Sequence, residues 1–138
     1  MKVLLIDDEV NLLTVTEDHL RSEDYEVVTA ADGHTGLQLV DETHPDVVVT
    51  DLRMDGMDGI EVVTRLKRSH ASLPVLVLTA YGEIDSAVKA MKAGALDYLT
   101  KPIDPVALSS ALRRAVSESR RELERVYLRE ELSDRLGF

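Results

Sequence analysis

Asp7 and Asp8 stand side by side directly after a short apolar run, and Asp51, Thr79 and Lys101 each close a later run of similar kind. Three carboxylates drawn together repel one another and cannot all stay ionised without a cation. Hard oxygen ligands on neighbouring loops suit Mg²⁺, which keeps several waters and takes one or two carboxylates together with phosphate oxygens. A lysine adds a compact positive charge able to meet a phosphate oxygen, and a threonine adds a hydroxyl donor. Carboxylates can act as nucleophiles and form an aspartyl-phosphate. Phosphoryl transfer asks the protein mainly to position groups and to neutralise charge on the equatorial oxygens. Together, these residues could perform Mg²⁺-assisted phosphoryl transfer to a carboxylate.

Taken singly, none of them carries that reading. An Asp-Asp pair after a strand is commonly a helix cap or a turn. Thr79 alone is a strand-end hydroxyl satisfied locally, and Lys101-Pro102 alone is a surface turn. The stretch from Asp51 to Gly59 alone is an acidic loop, and its acid and glycine spacing is not that of an EF-hand. Their weight comes from position, because each falls at the end of a strand-like run.

Those runs define the scaffold. Val3–Ile6, Val47–Val49 and Val75–Leu78 are continuous and rich in β-branched residues, as strands buried on both faces of a parallel sheet are. Val27–Ala30 and Tyr98–Thr100 are weaker and suit edge strands. Helix-sized segments lie between: Asn11 to about Glu23, His34 to about Thr43, Gly59 to about Arg68, and a segment whose Ile84, Ala87, Val88 and Met91 form an amphipathic stripe. The βα alternation predicts an α/β fold, a flavodoxin-like doubly wound parallel sheet of five strands in order 2-1-3-4-5. In such a sheet all carboxyl ends share one edge, where ligands bind, so the five residues converge there. The last helix begins near Pro105, a favoured first-turn residue, and has no stop before about Asp134, which makes it an extended C-terminal helix. Leu112, Val116, Leu123 and Val126 form a partial seam along it, interrupted by Ser119 and Glu130.

The rest of the composition narrows the function. The 138 residues suit one domain with an appended element, and a 44% hydrophobic share supplies a core. A net charge of −10 argues against nucleic-acid binding by this segment, which needs a basic footprint. The arginines between 113 and 135 are offset by glutamates and read as a solvated face. Without cysteine there is no disulfide or thiolate metal site. His19, His34, His44 and His70 are scattered, as surface residues are. No glycine-rich phosphate loop or dinucleotide fingerprint occurs. The first apolar run is too short for a signal peptide or a membrane span, so a cytoplasmic location is expected.

The motifs Val-Leu-Leu-Ile-Asp-Asp-Glu (3–9), Asp-Val-Val-Val-Thr-Asp-Leu-Arg-Met (46–54), Leu-Thr-Ala-Tyr-Gly (78–82) and Ala-Leu-Asp-Tyr-Leu-Thr-Lys-Pro (95–102) resemble the receiver domain of two-component response regulators. The resemblance covers about residues 1–120. It implies that Asp51 is the phosphoacceptor, served by a phosphohistidine on a sensor histidine kinase. It implies Mg²⁺ as cofactor, with Asp8 a direct ligand, Asp7 acting through water and Asp51 and the backbone carbonyl of Arg53 completing the protein's share; the Arg53 side chain is not implicated. It makes Lys101 the phosphate-contacting lysine and Thr79 and Tyr98 a switch pair, and it implies a cis peptide bond between Lys101 and Pro102.

Within that family the chain looks most like the NtrC-type activators of sigma-54 RNA polymerase, which join a receiver to a AAA+ ATPase and a helix-turn-helix domain. The tail 128–138 resembles the segment leading into the ATPase. Residues 1–120 are then the receiver and 121–138 a helical linker, with a homodimer expected through the fourth helix, fifth strand and fifth or linker helix. Asp55 stands where that group often has proline. No turnover of external substrate is expected, beyond phosphorylation and dephosphorylation of the domain itself. The alternatives are a stand-alone receiver that docks to another protein, and a phosphatase working through an aspartyl-phosphate. Haloacid-dehalogenase-like phosphatases place a second aspartate two residues after the nucleophile, where this chain has Arg53. A receiver that never accepts phosphate is disfavoured by the full set of Asp7, Asp8, Asp51, Thr79 and Lys101.

Overall fold

The computed structural model describes the backbone of residues 1–136 and the side chains of 1–125 and 127–131. The side chains of Val126 in the expected seam and of residues 132–138 in the tail motif lie outside those described. Five strands, β1 (Lys2–Ile6), β2 (Glu26–Ala30), β3 (Val47–Asp51), β4 (Val75–Thr79) and β5 (Asp97–Thr100), alternate with five helices, α1 (Val10–Ser22), α2 (Gly33–Thr43), α3 (Gly59–Ser69), α4 (Ile84–Ala93) and α5 (Pro105–Leu136). All strand pairs are parallel and the sheet order is β2-β1-β3-β4-β5. This is the doubly wound arrangement that the alternation predicts. The two weak runs are the two edges, where partial exposure removes the need for continuous apolar sequence.

Side chains alternate across the sheet, which divides the core in two. Leu4, Ile6, Val48, Val75 and Val77 face α2, α3 and α4, against Val40, Val62, Val63, Leu66 and Ala90. Val3, Leu5, Val47, Val49, Leu76 and Leu78 face α1 and α5, against Leu13, Leu20, Leu108, Leu112 and Val116. Each fully buried leucine or valine contributes about 2 kcal/mol of transfer free energy.

The packing divides both apolar patterns seen in the helices. The stripe on α4 is divided: Ala87 is buried together with Ala90, whereas Ile84 is 68%, Val88 45% and Met91 38% exposed. The seam on α5 is split. Leu112 and Val116 belong to the domain core, whereas Leu123, with Tyr127 and Leu128, is exposed. Between these stretches, Ser119 Oγ donates to the carbonyl of Ser72 at 2.7 Å. The helix thus covers the sheet with its first half and carries apolar side chains into solvent with its second.

Candidate acidic site at the carboxyl edge of the sheet

Parallel pairing brings the ends of β1, β3, β4 and β5 to one edge. Asp51 is the last residue of β3 and lies in register with Leu78, and Thr79 is the last residue of β4 and lies in register with Thr100. Asp7 follows β1, and its N–H donates to the carbonyl of Ala30 at 3.1 Å, which prolongs the strand. Lys101 follows β5, with its N–H on the carbonyl of Thr79 at 2.7 Å. The Lys101–Pro102 peptide bond is cis, as expected.

The side chains meet there. Asp7, Asp8 and Asp51 each offer a carboxylate oxygen, all within 4.8 Å of one another. Lys101 Nζ lies 3.1 Å from Asp7 Oδ2 and 3.1 Å from Asp51 Oδ2, bridging the two acids. Asp7 also accepts from the Glu9 N–H at 3.0 Å through its other oxygen. Asp7 and Asp51 are buried, while Asp8 is exposed at the mouth. Burial first, and then the neighbouring Asp7 charge, push the Asp51 carboxyl up to about 6 against the opposing pull of Lys101. Burial also pulls the Lys101 ammonium down, but its hydrogen bonds and charge contacts with Asp7 and Asp51 outweigh this and raise it overall.

Such a site suits a small hard cation. One ammonium faces three carboxylates, so negative charge is left over where oxygen ligands already converge. Asp51 is held ionised only at a cost that a divalent ion would relieve. The residues present therefore fit Mg²⁺, which Asp7, Asp8 and Asp51 would hold.

The α3 side of the site is tightly built. Gly59 N donates to the carbonyl of Leu52 at 2.8 Å. A Cβ on Gly59 would collide with the Asp51 carbonyl oxygen and lie 2.7 Å from Leu52 Cα. Asp58 caps this helix by accepting from the Glu61 N–H at 2.9 Å. Local sequence thus fixes α3 directly onto the strand that presents Asp51.

Of the expected site residues, Asp7, Asp8, Asp51 and Lys101 converge. Thr79 lies beside them at the strand end with 3% exposure, and Tyr98 sits on edge strand β5 with 43%. None of the four histidines belongs to the acidic cluster; His19 approaches Glu23 at 3.2 Å and His70 approaches Asp41 at 3.0 Å. Asp55 is exposed and lines a cavity of about 530 Å³ with Asp8, Arg53 and Lys89. Sequence reasoning missed Glu83, which pairs with the Arg53 side chain at 2.8 Å. An ion pair between two loops distant in sequence has no local signature.

A family profile described as response regulator receiver domain matches residues 3–113. Transcriptional regulatory protein GlrR of Escherichia coli (strain K12) is 41% identical over 117 residues, which are 85% of this chain and 26% of that protein. Regulatory protein AtoC of the same strain is 35% identical over 132 residues, covering 96% of this chain and 29% of the relative. The chain thus spans roughly a quarter of the length of the curated relatives it matches. A response regulator receiver domain protein from Clostridium thermocellum superposes with a TM-score of 0.82 at 35% identity, covering 86% of this chain and 96% of that one. NtrX from Brucella abortus, crystallised with ATP, gives a TM-score of 0.87 at 30% identity over 92% of this chain and 29% of its own.

Proposed function

The chain belongs to the response regulator receiver domain family, and on that premise we propose that it is a phosphorylation switch whose acceptor is Asp51. The observation that carries the reading is the bridging of Asp7 and Asp51 by Lys101 at 3.1 Å each, within a cluster of three acids. The ionised Asp51 carboxylate attacks the phosphorus of a phosphohistidine on a sensor histidine kinase. The P–O bond forms as the P–N bond breaks, and the electron pair returns to the imidazole nitrogen. Mg²⁺, held by Asp7, Asp8, Asp51 and the Arg53 carbonyl, would neutralise charge on the transferring oxygens. Lys101 is placed to exchange its contact with Asp51 for one with a phosphoryl oxygen, and Thr79 to donate its hydroxyl to another.

The kinase has a suitable landing surface beside the site. A groove of about 500 Å³ runs from Lys101 and Pro102 past Ile103 to Leu12 and Val15 on α1. The switch then runs through Thr79 and Tyr98: as Thr79 moves to the phosphoryl group, the half-exposed Tyr98 repacks against the space it leaves. This biases the surface formed by α4, β5 and α5, where Ile84, Val88, Met91, Tyr98 and Leu123 are exposed and supply apolar area for a homodimer. Kinship with transcriptional regulatory proteins several times longer supports a longer regulator in which residues 1–120 form the receiver. Residues 121–138 would link it to a AAA+ ATPase acting in sigma-54-dependent transcription. The acidic charge of −10 supports protein partners for this segment rather than nucleic acid. Arg53 in place of a second aspartate speaks against a phosphatase.

Incubation with acetyl phosphate and Mg²⁺ followed by intact mass tests the acceptor. One phosphate adduct is expected, lost in Asp51→Asn and without Mg²⁺. No adduct, or one that survives Asp51→Asn, contradicts the assignment. Light scattering on 1–120 against 1–138 tests the linker, with self-association expected in the longer chain and identical monomers removing its role.

A further inference from the structure

A second cation stands at the rim of the acidic site, and it is tied to α4. Arg53 lies two residues past Asp51, and its Nε forms an ion pair with Glu83 Oε1 at 2.8 Å. The Glu83 side chain is 20% exposed and that of Arg53 73%. The carboxylate is therefore the anchored partner, and the guanidinium is the one open to solvent. Glu83 immediately precedes α4. A short acceptor such as Asp at that position ordinarily takes hydrogen bonds from N–H groups of the first turn. The acids before α2 and α3 do this: Asp32 accepts from the Thr35 N–H at 2.7 Å and Asp58 from the Glu61 N–H at 2.9 Å. Glu83 makes no such cap, and neither does Glu9 before α1; the Glu83 carboxylate is turned to Arg53. Arg53 lines a cavity with Asp8 at the acidic edge and with Ser86 and Lys89 of α4.

We propose that the Arg53–Glu83 ion pair is a latch between the acceptor loop and the first turn of α4, and that a phosphoryl group on Asp51 opens it by taking the guanidinium. The latch rests on the Asp51 reading above and adds a route to α4 separate from Thr79 and Tyr98. The driving force is competition. A phosphoryl group brings close to two negative charges and three acceptor oxygens, and arginine matches phosphate geometry bidentately. Glu83 offers one charge and holds Arg53 through Nε. Once released, the Glu83 carboxylate has the uncapped N–H groups of α4 beside it and a favourable helix end. The new helix cap offsets the broken ion pair, and the first turn of α4 is reset. Ile84 and Val88, the exposed apolar residues of that segment, change position with it.

The test is the affinity of the full chain for beryllofluoride, a mimic of the aspartyl-phosphate, with Mg²⁺ present. Glu83→Gln frees the guanidinium and should tighten binding about two- to fivefold, the size that an exposed ion pair can supply. Arg53→Gln, which keeps the backbone carbonyl, should weaken it. The double variant should match Arg53→Gln alone, because Glu83 acts only through Arg53. Equal affinity in wild type and Glu83→Gln, or additive effects in the double variant, overturns the latch. Wild type that binds beryllofluoride while Glu83→Gln changes nothing defeats the latch and leaves the Asp51 reading standing. Wild type that binds none defeats both. Matching thermal melts of the variants would establish that each one folds.

Discussion

Helices α3 and α4 are neighbours of nearly equal length, 11 and 10 residues, and both carry an apolar stripe in sequence. They use it differently. α3 buries Val62, Val63 and Leu66 against the sheet, is capped by Asp58 and is tied through the Gly59 N–H to the carbonyl of Leu52, next to Asp51. α4 buries only Ala87 and Ala90, has no side-chain cap and leaves Ile84, Val88 and Met91 outside. Apolar area removed from water sets how firmly an element is held. α3 is packed firmly beside the acidic site, and α4 is the less anchored helix, the one the proposed switch would shift.

The largest expected difference comes from truncating each stripe. Leu66→Ala should cost about 3–4 kcal/mol of stability, as a cavity in a packed core does, whereas Val88→Ala should cost less than about 1 kcal/mol. Denaturant titration of both variants measures it, and similar losses would break the contrast. Gly59→Ala comes next. It must push the helix off the Asp51 carbonyl, with a loss of about 2 kcal/mol or more and a weakened acceptor site, read by melting and by Mg²⁺ titration. The caps follow. Asp58→Ala should cost about 1 kcal/mol, while Glu83→Ala, which removes an exposed pair and no cap, should cost about 0.3 kcal/mol.

A change of pH addresses Asp51 itself rather than either helix. The Asp51 carboxyl is raised from 3.8 to about 6 in the folded chain. A raised acid penalises the fold while ionised, so this group's contribution improves as pH falls through about 6 and is complete near 3.8. The carboxylate is also what binds cation and attacks phosphorus, so Mg²⁺ affinity and phosphorylation by acetyl phosphate should both fall below about pH 6. Melting in the absence of Mg²⁺ should show the opposite slope over that range, and Asp51→Asn should flatten it.

The strands and the acids at their ends could be read from sequence because burial on both faces demands continuous apolar runs, and parallel winding sends every carboxyl end to one edge. Asp7, Asp8, Asp51 and Lys101 needed nothing further. The orientation of α4 was not legible in the same way. Periodicity reveals that Ile84, Val88 and Met91 share a face, yet cannot say that the sheet accepts the small side chains of Ala87 and Ala90 instead. Leu112 and Val116 looked like the start of a seam because a core face and a dimer face have the same spacing. Lys101 was expected to meet phosphate, but its bridging of two carboxylates depends on how far the strands bring Asp7 and Asp51 together. Glu83 was invisible because its importance depends on where the Arg53 side chain goes.

Hydrogen exchange across α3 and α4, with and without Mg²⁺ and beryllofluoride, tests most directly whether Asp51 drives a switch. Exchange should change at residues 83–93 and in β5, stay constant in α3, and show no response in Asp51→Asn. Equal changes in both helices, or a response that persists in Asp51→Asn, would refute the switch.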